Sequence, residues 1–218
     1  MKKQWIFFDV GGVITDESHF TEWIQKHATQ VIKKYDPTIT LKKVKAARPA
    51  ASVMPGNLNE NMIKVFLKGR NLKLALAEWK EIRKNGPTHA QQQIVRPEAL
   101  SVIRELSKNY NLGIIANQHK EIKVKLKKAG ILKYFKQKDV SEDIGYSKPD
   151  PRFFKVVLKK VKADPKTSFL IDDNLERSII PAKKLKMITV WRKLEKRKAP
   201  KGTADYTVTS LKGLLNIF

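Results

Sequence analysis

Apolar residues along this 218-residue chain follow two rhythms: short unbroken runs, and longer stretches in which they return every three or four positions. The first rhythm opens the chain. Trp5, Ile6, Phe7 and Phe8 run directly into Asp9, and Val10, Gly11, Gly12, Val13 and Ile14 follow. An unbroken run this short predicts a strand buried on both faces, as in a parallel sheet. Residues 112–116, 167–171 and 187–191 predict further strands of that kind, and residues 205–208 a last one. The second rhythm predicts helices over residues 97–109, from just after His119 to about Gly130, and over 152–161, 175–185 and 211–218. Pro97 suits the first position of its helix and Gly130 the C-terminal cap of the next. Residues 131–143 are less regular, with a short strand expected near Phe135. Strands alternating with helices predict the α/β class: a doubly wound, Rossmann-like parallel sheet covered on both faces.

The alternation lapses once. Residues 18–91 show only the helical rhythm. One helix is expected over 19–35, where Phe20, Trp23, Ile24, Ala28, Val31 and Ile32 share a face and Asp36-Pro37 ends it. A second, very basic helix is expected over 41–48. A loop around Pro55-Gly56 covers 49–58, and helices follow over 59–68 and 72–84 before Asn85-Gly86-Pro87 closes the block. The expected organisation is therefore an α/β core of residues 1–17 and 92–218, interrupted by a small all-helical insertion of residues 18–91. No internal repeat is evident.

Composition narrows the chemistry. The chain has no cysteine, which excludes disulfides, thiolate metal sites and a cysteine nucleophile. Lys and Arg number 45 against 21 Asp and Glu, a formal charge of +24. An excess of this size can serve nucleic acid, anionic lipid or anionic substrates. The lysines are nevertheless spread through nearly every segment, which favours solvated faces over a dedicated nucleic-acid site. The densest basic stretch, residues 192–201, reads as an exposed loop and is the best candidate for a polyanion contact. The N-terminal apolar run is too short for a signal peptide and is stopped by Asp9, and no run is long enough to span a bilayer. The expectation is a soluble, cytoplasmic protein that makes no membrane contact; its oligomeric state is not readable.

Candidate catalytic residues lie where strands end. Open α/β sheets bind ligands beyond the C-terminal ends of their strands, and there this sequence places Asp9, the polar step Ala116-Asn117, and Asp172-Asp173. Gly11 and Gly12 allow a sharp turn and close approach of backbone to a bound group. Three carboxylates on one edge repel one another unless a cation joins them, and an oxygen set of this kind suits Mg²⁺ with a substrate phosphate. Lys148, in the proline-stiffened stretch Lys148-Pro149-Asp150-Pro151, can pair with Asp9 or with phosphate. Asn117 can donate to phosphate oxygens. Each residue alone has a plainer reading: Asp9 or the Asp172-Asp173-Asn174 step as a helix cap, Lys148 as a surface lysine, Asn117 as a turn residue, His119 as an exposed histidine. Order and placement together point to a site for an anion and a metal, with one carboxylate placed as nucleophile.

Taken in order, Asp9-Val-Gly-Gly-Val, the apolar strand into Ala116-Asn117, Gly145-Tyr-Ser-Lys148-Pro-Asp-Pro and Ile171-Asp-Asp-Asn resemble the four motifs of the haloacid dehalogenase superfamily, over nearly the whole chain. The Lys-Pro-Asp-Pro step resembles its phosphatase-like branch, and the helical insertion resembles that family's cap placed after the first motif. The resemblance implies a Mg²⁺-dependent phosphatase of a small phosphorylated metabolite. Asp9 is then the nucleophile, forming an aspartyl-phosphate. The metal is held by Asp9, the main-chain carbonyl of Gly11, and Asp173 with or without Asp172. Gly11, Gly12, Ala116, Asn117 and Lys148 surround the phosphate, Lys148 steadies nucleophile and phosphate, and the cap closes over the site and selects the substrate. The sequence also departs from the family pattern. Gly11 stands where such phosphatases carry an acid/base Asp, whose loss typically costs on the order of 10²–10⁴ in rate. Ala116 replaces a hydroxyl donor worth roughly 1.5–3 kcal/mol to a charged group. Ser178 replaces a later Asp of the fourth motif, and Asp172 fills a place often held by glycine. Two other readings remain open at this point. One is attack by Asp9 on a carbon–halogen bond, which needs no leaving-group acid. The other is a binding or regulatory protein on an impaired scaffold with a polyanion-binding basic surface.

Overall fold

The computed structural model describes residues 3–194 and 199–218, apart from the side chain of Ala90. In chain order the elements are β1 (Trp5–Phe8), β2 (Thr15–Asp16), α1 (Ser18–Lys33), α2 (Leu41–Ala46), α3 (Arg48–Val53), α4 (Leu58–Lys64), α5 (Gly69–Asn85), α6 (His89–Gln92) and β3 (Ile94–Val95). There follow α7 (Ala99–Asn109), β4 (Asn111–Ile114), α8 (Ile122–Lys128), α9 (Ser141–Ile144), α10 (Pro151–Lys160), β5 (Ser168–Asp172), α11 (Ile180–Lys184), β6 (Ile188–Arg192) and β7 (Tyr206–Val208).

Two compact units result, one of Met1–Asp16 with Ile94–Phe218, the other of Glu17–Gln93. The first is an α/β unit. Its sheet has the order β4-β1-β5-β6-β7, with every pairing parallel. β1 lies between β4 and β5, and side chains packed above and below the sheet bury both its faces, which is why all four of its residues are apolar. Successive side chains point to opposite faces. Ile6 and Phe8 pack with Val102, Ile103, Leu106, Leu112 and Ile114 on one side, and Trp5 and Phe7 with Phe153, Phe154, Val157 and Leu170 on the other. In the second unit the regular elements, among the described residues, are all helices. It has its own core of Phe20, Ile24, Ala28, Val31, Ile32, Ile63 and Trp79, the first five supplied by one face of α1. No helix among the described residues is long and apolar enough to cross a membrane.

Several elements differ from the sequence expectation, each for a local reason. Residues 49–58 are not all loop: α3 begins at Arg48 with Pro49 in its first turn, where a missing N–H costs nothing. Residues 89–92 form α6, closed by a reciprocal Thr88–Gln91 capping box. The expected helix over 175–185 opens as a wider π-turn over Leu175–Ile179 and becomes α-helical only from Ile180. Pro181 offers no N–H to the preceding turn, which explains the break. The strand expected near Phe135 is reduced to one bridge with Leu112, because the side chain of Gln137 takes the Ile114 N–H at 2.7 Å in place of a backbone partner. Residues 212–216 form a 3₁₀ turn rather than an α-helix.

The basic stretch 192–201 is corrected in part. Arg192 does not lie in an exposed loop: it is the last residue of β6 and is buried. Residues 195–198 of that stretch lie outside the described residues.

Candidate active site

Parallel register places the first two carboxylates. Phe8 of β1 pairs with Ile171 of β5, and the Asp9 N–H donates to the Ile171 carbonyl at 2.9 Å. Asp9 and Asp172 therefore leave neighbouring strands at the same level, on the edge where such sheets bind ligands. Asp173 comes next in the chain. Ligand oxygens of Asp9, Asp172 and Asp173 all lie within 4.8 Å of one another.

Lys148 is the cation of the cluster. Its Nζ lies 2.6 Å from Asp172 Oδ2 and 3.1 Å from Asp9 Oδ1. The Lys148 side chain is 3% exposed and that of Asp172 fully buried. Burial alone pulls an ammonium down, but the charges of Asp172 and Asp9 outweigh it and hold Lys148 above its ordinary pKa. One ammonium among three carboxylates still leaves excess negative charge. Lys148 reaches this place because its backbone is gripped. Asn117 Nδ2 donates to the Lys148 carbonyl at 2.9 Å, and the Lys148 N–H donates to Asn117 Oδ1 at 2.8 Å. Arg177 Nε reaches the same carbonyl at 2.8 Å. Downstream, Asp150 caps α10 through the Arg152 N–H.

The turn after Asp9 supports the same edge. The Val10 N–H donates to Asp9 Oδ1 at 2.8 Å. Of the two glycines only Gly12 has a positive φ, +72°. A Cβ there would lie 2.6 Å from an Asp173 carboxylate oxygen, so the carboxylate rests where a side chain would be. Ala116 is fully buried and its carbonyl accepts from the Ser141 N–H at 3.0 Å. Asn117 is tied to Lys148 as described, so its amide supports the lysine. Asp172 Oδ1 accepts the Asn174 N–H at 2.9 Å, and Asn174 in turn accepts from the Arg177 N–H. Ser178 is buried, and its Oγ has no hydrogen-bond partner among the described residues. His119 lies at the surface beside Glu142.

Three further residues join the site, none of which the sequence places there; Arg192 reads in sequence only as the start of the basic stretch. Arg177 holds Lys148 as above. Trp191 Nε1 donates to the Asp173 carbonyl at 3.0 Å. Arg192 Nη1 donates to the Gly12 carbonyl at 2.6 Å. The signal that could have found the last two is the one that finds Asp9: they end a buried parallel strand.

A parallel α/β unit carrying a cluster of carboxylates and one buried lysine at its strand ends defines a class of hydrolase scaffold. Residues 6–191 match the model of the haloacid dehalogenase-like hydrolases, and the chain belongs to that family. It is similar to the pyrimidine 5′-nucleotidase YjjG of Escherichia coli, 29% identical over 118 residues, which are 53% of this chain and 52% of that protein. It is also similar to the glyceraldehyde 3-phosphate phosphatase of Methanocaldococcus jannaschii, 36% identical over 95 residues, 43% of this chain and 42% of that one. The match thus spans about half, or less, of the length of these relatives. Among solved structures, the putative hydrolase YfnB of Bacillus subtilis bound to magnesium superposes with a TM-score of 0.63 at 18% identity, covering 100% of this chain and 99% of that one. At that identity it attests the fold.

Proposed function

We propose that this chain is a Mg²⁺-dependent phosphatase of small phosphorylated metabolites, with Asp9 as nucleophile. The observation that carries the reading is the meeting of Asp9, Asp172 and Asp173 within 4.8 Å of one another, with Lys148 paired to the first two. Hard carboxylate oxygens with residual negative charge suit a divalent cation that in turn attracts a phosphate dianion. Asp9 and Asp173, with the Gly11 carbonyl, would hold the ion. Both oxygens of Asp172 are engaged, by Lys148 and by the Asn174 N–H, so it serves chiefly as counter-ion to the lysine. When bound, Mg²⁺ offsets charge on the phosphoryl group.

The chain's own groups do the rest. A carboxylate oxygen of Asp9 attacks phosphorus, the bond from phosphorus to the ester oxygen breaks, and the alkoxide leaves with a proton drawn from solvent, since Gly11 offers no acid. Water then cleaves the aspartyl-phosphate, returning Asp9 and releasing inorganic phosphate. Lys148 orients Asp9 throughout and lessens the repulsion between Asp9 and the incoming phosphate. The carboxylate excess weighs against attack on a carbon–halogen bond, which has no use for Asp173. The phosphatase and nucleotidase relatives favour the same substrate class.

The test is phosphate release from a panel of sugar phosphates, triose phosphates and nucleoside monophosphates, with Mg²⁺ and with a chelator. Release should require Mg²⁺ and vanish in Asp9→Asn with the circular dichroism spectrum unchanged. Turnover surviving that substitution would remove Asp9 from the reaction.

A further inference from the structure

Arg192 is 5% exposed at the end of β6, and the mechanism above does not use it. Its Nη1 donates to the Gly12 carbonyl, 180 positions away in sequence. Gly12 is the residue whose missing side chain makes room for the Asp173 carboxylate. The preceding residue of the same strand, Trp191, holds the main chain of Asp173. The last two residues of β6 thus grip both partners of one close contact, Arg192 on the side of Gly12 and Trp191 on the side of Asp173.

Packing alone does not account for an arginine here. Its Nε is buried with no hydrogen-bond partner, and it forms no ion pair among the described residues. Burial and the neighbouring charge of Arg96 both disfavour its cation, while Asp173, Glu98 and Asp16 favour it. An apolar side chain of similar length would fill the space without an orphaned donor. What the guanidinium supplies is the bond to Gly12.

We propose that Arg192 is a positioning residue that locks the turn after the nucleophile against Asp173, and so fixes the spacing of Asp9 and Asp173 that cation binding requires. The proposal rests on the metal-dependent reading of the site.

The test compares full-length wild type, Arg192→Met and Arg192→Lys by three measurements: hydrogen exchange of the metal-free protein, calorimetric titration with Mg²⁺, and steady-state kinetics at saturating Mg²⁺. In Arg192→Met, exchange of the amides of residues 10–14 should speed up about 10- to 100-fold, the factor for losing one hydrogen bond to a charged group, while β1 and β4 exchange as before. Mg²⁺ affinity should fall by a similar factor, KM for the phosphate ester should stay within about threefold, and Arg192→Lys should recover part of both losses. Unchanged exchange at residues 10–14 overturns the lock. So does a raised KM at saturating Mg²⁺, which would make Arg192 a substrate contact, and so does faster exchange across the whole sheet in both variants, which would make its role purely structural. If the wild type binds no Mg²⁺, the metal reading fails, but exchange in the metal-free protein still judges the lock by itself.

Discussion

Lys148→Met removes the cation at the centre of the site while nearly preserving its length. In the native chain the ammonium lies 2.6 Å from Asp172 and 3.1 Å from Asp9, with all three side chains almost wholly out of water. Removing one partner of a buried ion pair leaves the other uncompensated and costs about 3–5 kcal/mol. For a chain of this size each kcal/mol moves the melting temperature by about 2–4 °C. The variant should therefore melt roughly 6–20 °C below the wild type in metal-free buffer at pH 7, followed by circular dichroism. Pairing it with Asp172→Asn should return part of the loss, because the second change removes the charge that the first exposes. A coupling of about 1–3 kcal/mol is expected from the double-mutant cycle. The pH dependence has a definite sign. Asp172 and Asp9 outweigh burial and raise the folded-state pKa of Lys148 above its ordinary value. The stabilisation it gives is complete below the unfolded value and is lost as pH rises through the folded one. The gap between wild type and Lys148→Met should narrow only in strongly alkaline buffer. A melting temperature within 2 °C of wild type, or strictly additive losses in the cycle, would refute the buried-bridge account.

Gly12→Ala should lower stability by about 1–2 kcal/mol for its left-handed backbone alone, and should weaken Mg²⁺ binding because the new methyl group displaces Asp173; denaturant melts and calorimetry check the two effects. Glu17 in the helical unit is pushed up by burial but held below its ordinary carboxyl value by His89 and Gln93. Its stabilisation is therefore present above that value and lost as pH falls through the lower folded one, so the loss caused by Glu17→Gln should shrink on acidification, as urea melts at several pH values would show. Because Gly11 provides no acid, kcat should fall steeply as the leaving alcohol becomes less acidic; a series of aryl and alkyl phosphates measures the slope, and a flat series would require an acid elsewhere.

The positions of Asp9 and Asp172 are legible because each closes an unbroken apolar run, and adjacent parallel strands bring such ends together. Lys148 is legible only as a loop lysine. Its bridge depends on Asn117, 31 residues before it, and on Arg177, 29 after it, and no local pattern encodes a grip across that distance. Arg192 is hidden for another reason: the last residue of its strand merges with a basic run, so a buried charge reads as the start of a solvated loop. Helix boundaries fail where proline changes meaning with position. Pro49 opens α3, while Pro181 forces the turn before α11 to widen. The helical rhythm of residues 18–91, by contrast, needs only one face per helix and is plain in sequence.

The two strands that flank the helical unit have a consequence of their own. β2 and β3 pair antiparallel, Thr15 with Val95 and Asp16 with Ile94. The Arg96 N–H extends the ladder to the Ile14 carbonyl, and the Arg96 side chain pairs with Asp16. The chain thus departs and comes back through a single doorway whose jambs are fastened to each other, so whatever is threaded between them adds little closure entropy to the sheet. Such a gateway lets seventy-odd residues be exchanged, shortened or replaced as a cassette while the catalytic edge keeps its register.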